Sequence, residues 1–255
     1  MRNYFEFDGE IVLVTGASGG LGRHFSEVLA AAGAVVCVAA RRLDKIYETV
    51  SSIKSSGGQA FGFEMDVTNE DNVESTFDQI KDKVGKVSVV VNNAGIATGN
   101  LAMNMDLQEW SSIVDTNLKG AWIVALAAAR RMADAKTGGT IVNIASILGI
   151  GISKGVMPYS VSKAGLIQMT KALALEWARY DIRVNALAPG YVKTDLNRDF
   201  LLTKAGKELL RRIPQRRPAE MCELDAPFLL LASKASSYMT GSVLTVDGGH
   251  LVSSL

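Results

Sequence analysis

Short apolar runs and amphipathic stretches alternate along this chain from one end to the other. Residues 10–15, 35–40, 60–65, 86–91, 140–145, 182–188 and 243–246 are apolar runs rich in Val, Ile and Ala. Runs of this length and composition predict strands buried on both faces. Between them the apolar positions recur at helical spacing, predicting helices from the glycine cluster at Gly16 to about Ala32, over 43–56, after Asp66-Val67-Thr68, over 110–132, from near Pro158 to Trp177, over 195–212 and over 220–231. Asp66 and its two successors close a strand and are expected to cap the helix that follows. Strands alternating with helices throughout imply an α/β fold with a doubly wound parallel sheet. No linker, repeat or low-complexity stretch interrupts the pattern, so residues 1–255 read as a single domain.

Composition narrows the function classes. The 255 residues are 48% hydrophobic, with 27 Lys plus Arg against 26 Asp plus Glu and a net charge of +1. A balance this even gives no basic footprint for nucleic acid or an anionic membrane. Cys37 and Cys222 form no disulfide framework, and Cys37 falls in an apolar strand as a small core residue. The polar amino terminus is no signal peptide, and no apolar run is long enough to span a bilayer. The expectation is a soluble protein of the reducing cytoplasm. His24 and His250 stand far apart in sequence, which argues against a histidine metal site or a Ser-His triad.

The candidate chemistry collects at strand ends. Gly16-Ala17-Ser18-Gly19-Gly20-Leu21-Gly22 follows the first strand and opens the first helix. In that context glycines admit a close phosphate, and the helix N-terminus supplies donors. Asn92-Asn93-Ala94-Gly95 follows the fourth strand, and Ser146 ends the fifth, at the edge where open α/β sheets bind ligands. Tyr159 and Lys163 lie four positions apart on one helix face. A lysine ammonium there is expected to lower the tyrosine pKa from about 10, making Tyr159 an acid–base group while Ser146 holds the same substrate oxygen. Asn117 lies among Ile113, Val114, Leu118, Trp122 and Ile123, as either a satisfied core amide or a functional one.

These motifs, with Pro189-Gly190 and Asp247-Gly248-Gly249, resemble in order and spacing the short-chain dehydrogenase/reductase family, over essentially the whole chain. The resemblance implies a Rossmann-type fold of seven strands, an NAD(P) cofactor, and a homotetramer or homodimer. It makes Tyr159 the general acid–base, Lys163 the nicotinamide-ribose ligand that tunes it, Ser146 the carbonyl-polarising hydroxyl, and Asn117 the helix residue whose backbone holds a water linking Lys163 to solvent. It puts Gly16, Ser18, Gly20, Leu21 and Gly22 on the cofactor. Asn93, Ala94 and Gly95 fall on the ribose side, Asp66 and Val67 at the adenine, and Pro189, Gly190, Val192 and Thr194 at the nicotinamide.

The implied reaction is hydride transfer between nicotinamide C4 and a carbinol or carbonyl carbon. The family's acidic NAD-selecting position falls on Ala40, followed by Arg41 and Arg42. A small neutral residue beside guanidinium groups predicts NADP(H) over NAD(H), with Arg41 as the main phosphate partner. The substrate pocket is expected between the loop 147–157 and a lid at about 191–217. Ile147, Leu148, Ile152, Met157, Tyr191, Leu201 and Leu202 would wall it, and Leu148, Met157 and Tyr191 would touch substrate beside Ser146 and Tyr159. Lys204, Lys207, Arg211 and Arg212 read either as attracting an acidic carrier or as a solvated face. Candidate substrates are 3-oxoacyl thioesters, polyols or sugar acids, and hydrophobic ketones. A non-catalytic NAD(P)-binding regulator and an enoyl-reductase-like activity are the rival readings.

Overall fold

The computed structural model describes residues 4–194 and 198–253. Seven parallel strands form one sheet: β1 (Ile11–Thr15), β2 (Val35–Ala40), β3 (Gln59–Glu64), β4 (Val89–Asn92), β5 (Gly139–Ile144), β6 (Ile182–Pro189) and β7 (Val243–Val246). Their order is β3-β2-β1-β4-β5-β6-β7. The chain therefore winds outward from β1 in one direction and from β4 in the other. The gap between the carboxyl ends of β1 and β4 is the topological switch point, where such sheets open a crevice.

Alternation along each buried strand feeds two cores. Val12, Val14, Val36 and Val38 point to one face, under α1 (Gly20–Ala31), α2 (Leu43–Ser55) and α9 (Asp225–Ala232). Phe25 of α1 stacks on Phe228 of α9 with ring centroids 4.1 Å apart. Leu13, Cys37, Ala39 and Val90 point to the other face, under α3 (Glu70–Lys83), α5 (Gly120–Ala135) and α6 (Met157–Trp177). Cys37 is wholly buried there, and burial pushes its thiol up to about 12, leaving it inert at neutral pH. Among the described residues no helix is long and apolar enough to cross a membrane.

Several elements differ from the sequence expectation. The expected helix over 110–132 is α4 (Leu107–Val114), a π-helical turn (Asp115–Lys119) and then α5. The wider turn shifts the helical register at Asn117, and single π turns of this kind cluster at functional sites. Gly120 then lets the helix close on the β3–α3 loop, since a Cβ there would sit 2.6 Å from Val67 Cγ2. The expected helix over 195–212 appears as α7 (Arg198–Leu202) and α8 (Lys204–Arg212), divided where Thr203 caps α8 by accepting from the Gly206 N–H at 3.1 Å. Its first part, 195–197, lies outside the described residues. Asn69, not Asp66, caps α3, and β4 begins at Val89 rather than Lys86. The helix expected over 220–231 opens as a 3-10 turn (Met221–Leu224) before α9.

Candidate active site

The glycine turn after β1 is a built cradle. Gly16 and Gly20 take positive φ of 64° and 52°, where other residues are strained. A Cβ on Gly22 would collide with Asn93 Nδ2 and the Gly16 carbonyl oxygen, and one on Gly16 would lie 2.7 Å from Ala94 Cα. On the outer side a Cβ at Gly19 or Gly20 would meet nothing within 4 Å. The first turn of α1 has neither a side-chain cap nor an acidic residue, so its N–H donors face this open side. These residues fit a dinucleotide pyrophosphate. Leu21, expected at the cofactor, packs at the edge of the apolar core.

The β4 loop braces the turn from below. Thr15 Oγ1 accepts from the Asn93 and Ala94 N–H groups at 3.1 and 3.2 Å. Asn93 Nδ2 donates to the Thr15 and Gly16 carbonyl oxygens at 3.0 and 3.2 Å. The Asn93 amide nitrogen is therefore occupied in holding the glycine turn, where the sequence suggested only a place beside the ribose.

At the end of β2, Ala40 is buried and both arginines are exposed. The two diverge. Arg42 Nη2 donates to Ser18 Oγ at 3.1 Å, placing this guanidinium on the glycine turn. Arg41 lies towards Asp66, whose carboxyl would be raised by burial but is held below its usual range by hydrogen bonds from the Thr68 N–H and hydroxyl and by the Arg41 charge. The sequence favoured Arg41 as the phosphate partner, yet Arg42 is the one seated beside Ser18. Val67 is buried against Gly120.

Across the crevice the four expected catalytic residues come together. Ser146 ends β5, and its Oγ accepts from the Leu148 N–H at 3.1 Å. Tyr159, in the first turn of α6, faces the same serine side chain. Lys163 is 4% exposed, donates to the Ile144 carbonyl oxygen at 2.7 Å and lies 5.6 Å from the Tyr159 ring centroid. Asn117 is fully buried and braces the Ile96 backbone; its Nδ2 also donates to Ser162 Oγ at 3.1 Å. A Cβ on Gly95 would stand 3.3 Å from Asn117 Oδ1 and 3.6 Å from Lys163 Nζ, so this glycine lets the β4 loop rest on both.

The electrostatics correct one expectation. Burial pushes the Tyr159 phenol above its ordinary value; the Ser146 hydrogen bond pulls it down and Tyr191 pushes it further up. Lys163 is itself desolvated, its ammonium pulled down to about 8. The lysine one turn away does not bring the expected lowering, because the fold buries both groups.

Beside the pair opens a cavity of about 780 Å³, walled by the 147–153 loop, Tyr191, the end of α8 and the turn at His250. Leu148 and Tyr191 line it as expected, as do Ile147 and Ile152. Met157, Leu201 and Leu202 do not: Met157 is exposed on the first turn of α6, Leu201 is buried and Leu202 faces outward. Lys204 and Lys207 line a separate small hollow with Glu208 and Arg211. Gly190 sits where a Cβ would be 2.8 Å from Asp247 Cα, and its N–H donates to Val246 at 2.8 Å. Pro189 ends β6, and Val192 bridges to Ala219. Thr194 is the last described residue before 195–197.

Sequence reasoning missed the buried polar struts. Asn92 Nδ2 donates to the Ala121 carbonyl oxygen and to Asn143 Oδ1, both at 3.0 Å, and Asn143 Nδ2 donates to Thr170 Oγ1 at 2.9 Å. Together they tie β4, β5, α5 and α6 under the site. The available signal was an asparagine inside each of two apolar strands. It also missed Ser153, Arg216 and His250 in the cavity wall.

A parallel sheet with a glycine cradle at its switch point, and Ser, Tyr and Lys side chains meeting beside it, defines a nucleotide-dependent oxidoreductase. The chain belongs to the short-chain dehydrogenase/reductase family. A family described as enoyl-(acyl carrier protein) reductase matches residues 16–250. The chain is 37% identical over 243 residues to the 3-oxoacyl-(acyl-carrier-protein) reductase FabG of Escherichia coli (strain K12), covering 95% of this chain and 98% of the relative. Among solved structures it superposes with a TM-score of 0.94 on a gluconate 5-dehydrogenase from Burkholderia cenocepacia J2315 in complex with NADP and tartrate, at 32% identity and 99% coverage of both chains. A short-chain type dehydrogenase/reductase from Mycobacterium marinum gives 0.92 at 40% identity, covering 97% of this chain and 98% of that one. The protein is an NAD(P)-dependent oxidoreductase acting on CH–OH or C=O groups.

Proposed function

We infer that the protein is an NADPH-dependent carbonyl reductase of the cytoplasm that works as a homotetramer or homodimer. The observation that carries this reading is the meeting of Ser146, Tyr159 and Lys163 at the mouth of the glycine cradle, with a neutral strand end and two arginines at its far side. The cofactor, bound by the cradle, supplies a hydride at nicotinamide C4. Ser146 Oγ hydrogen-bonds the carbonyl oxygen and polarises it. Tyr159 is placed to give its phenolic proton to that oxygen, its O–H breaking as the new O–H forms, while a bound cofactor would supply the hydride. A phenol held above its ordinary pKa is fully protonated at neutral pH, the state needed for reduction. Lys163, pulled down to about 8 by burial, lies 5.6 Å from the Tyr159 ring centroid with its ammonium on the Ile144 carbonyl oxygen.

The relatives' names favour a 3-oxoacyl thioester or a sugar acid as substrate. The family description adds an enoyl reductase reading. Ser146 and Tyr159 face each other, an arrangement suited to holding one carbonyl oxygen. The test is cofactor absorbance, with NADPH and NADH, across ketones, oxo acids, 3-oxoacyl thioesters and enones. Reduction of carbonyls is expected; reduction confined to enones would overturn the reading. Assembly is argued from α5 and α6, where Trp122, Val161 and Leu175 are exposed at 45%, 45% and 83% beside alanine-rich faces. Such faces suit packing against their copies about a two-fold axis. Analytical ultracentrifugation at micromolar concentration is expected to give an oligomer that Trp122→Glu dissociates.

A further inference from the structure

The cavity beside the reacting pair carries a chemistry that carbonyl reduction alone does not require. Among the described residues its wall holds Arg211, Arg212, Arg216 and His250 and no carboxylate. Cations just outside it are answered within the chain: Lys193 lies 3.1 Å from Glu220, and both outer nitrogens of Arg217 donate to Glu223. Arg216 turns one nitrogen back onto the Arg211 carbonyl oxygen. Positive charge thus gathers on one side of the cavity, with no carboxylate in the wall among the described residues.

His250 marks the same place independently. Its Nδ1 is buried and has no hydrogen-bond partner among the described residues. The turn that presents it is rigid, because the Asp247 carboxylate accepts from the Gly249 and Leu251 N–H groups at 2.8 Å each. The His250 ring stands 5.7 Å from that of Tyr191. Tyr191 stands in the cavity wall with Ser153 and Arg212, and the same wall includes Ile147 and Leu148, which directly follow Ser146.

We propose that this cavity binds the carboxylate of a short oxo or hydroxy acid, held by Arg212 on the arginine side of the wall, while its reacting carbon lies at Ser146 and Tyr159. This names the substrate class of the reaction inferred above and rests on that reading. A carrier-linked acyl group is neutral along this length and would leave the arginines unanswered; a free acid answers them.

Binding and turnover are measured separately on the full chain saturated with NADP⁺ or NADPH. Calorimetric titration compares 3-oxobutanoate with its methyl ester, and gluconate with glucitol. At least one acid is expected to bind about tenfold to a hundredfold more tightly than its neutral counterpart, the gain of a charge-assisted pair. Arg212→Ala is expected to abolish that preference, Arg212→Lys to keep part of it, and Lys207→Ala, outside the cavity wall, to keep it whole. Turnover is expected to show the same acid-to-ester ratio in kcat/KM. Acids that bind no better than their neutral counterparts, or a preference that survives Arg212→Ala in a folded variant, overturn the proposal. Acids that bind selectively without being turned over support the carboxylate site and overturn the carbonyl-reductase reading instead.

Discussion

Asn117 engages both backbone groups of Ile96: the Ile96 N–H donates to Oδ1 at 2.8 Å, and Nδ2 donates to the Ile96 carbonyl oxygen at 2.9 Å. The same Nδ2 reaches Ser162, whose hydroxyl donates to the Tyr159 carbonyl oxygen at 2.7 Å. One buried amide in a π turn thus fixes the β4 loop against the helix that carries the reacting phenol. Asn117→Ala strands these partners, each at a cost of ~1–3 kcal/mol. The expected outcome is a loss of at least that size in denaturant unfolding, with a fall in kcat. An unchanged unfolding midpoint would show that the amide is no strut.

Tyr159→Phe removes one oxygen and leaves the packing of α6 in place. Fold and cofactor binding are expected to persist, by circular dichroism and by NADPH fluorescence titration. Turnover is expected to drop ~10²–10⁴-fold, the usual worth of a positioned acid. Activity within tenfold of the parent would remove Tyr159 from the reaction.

The strands were legible because buried parallel strands write themselves as apolar runs; β2 and β7 fall where the pattern places them. The π turn was not, because Ile113 and Val124 continue the apolar rhythm on either side of it and one extra residue per turn leaves no compositional trace. The break at Thr203 did carry a signal, a capping residue inside a charged helical stretch, that periodicity alone overrode. At the site, spacing placed Tyr159 and Lys163 on one face. It could not report their shared burial, a product of the whole fold that reverses the tyrosine's shift.

That burial sets a pH signature. Lys163 titrates near 8 in the folded chain, against about 10.4 when unfolded. Between these values the unfolded state binds more protons, so stability rises with pH. The penalty is full below about pH 8 and gone above about 10.4. Differencing against Lys163→Met cancels the other titrating groups. The parent is expected to gain on the variant across this window, by up to ~3 kcal/mol in denaturant unfolding. A flat difference would mean that the amine is not desolvated.

Cofactor choice turns on the end of β2. Ala40 leaves room where an acid would repel a 2′-phosphate, and Arg42, seated 3.1 Å from Ser18 Oγ, and Arg41, beside Asp66, bracket that room from two sides. A guanidinium on a phosphate contributes ~1.5–3 kcal/mol, or roughly tenfold to a hundredfold in preference. The parent is expected to show higher kcat/KM with NADPH than with NADH. Arg42→Ala should lose most of that ratio and Arg41→Ala less, because Arg41 is partly engaged by the Asp66 carboxylate. Adding Ala40→Asp to both should reverse the ratio, since the new carboxylate accepts the ribose hydroxyls and repels the phosphate. Ratios measured for the parent, the two single variants and the triple variant separate the contributions. A parent that works better with NADH would show that the arginines are solvated loop residues and that this strand end does not select the phosphate.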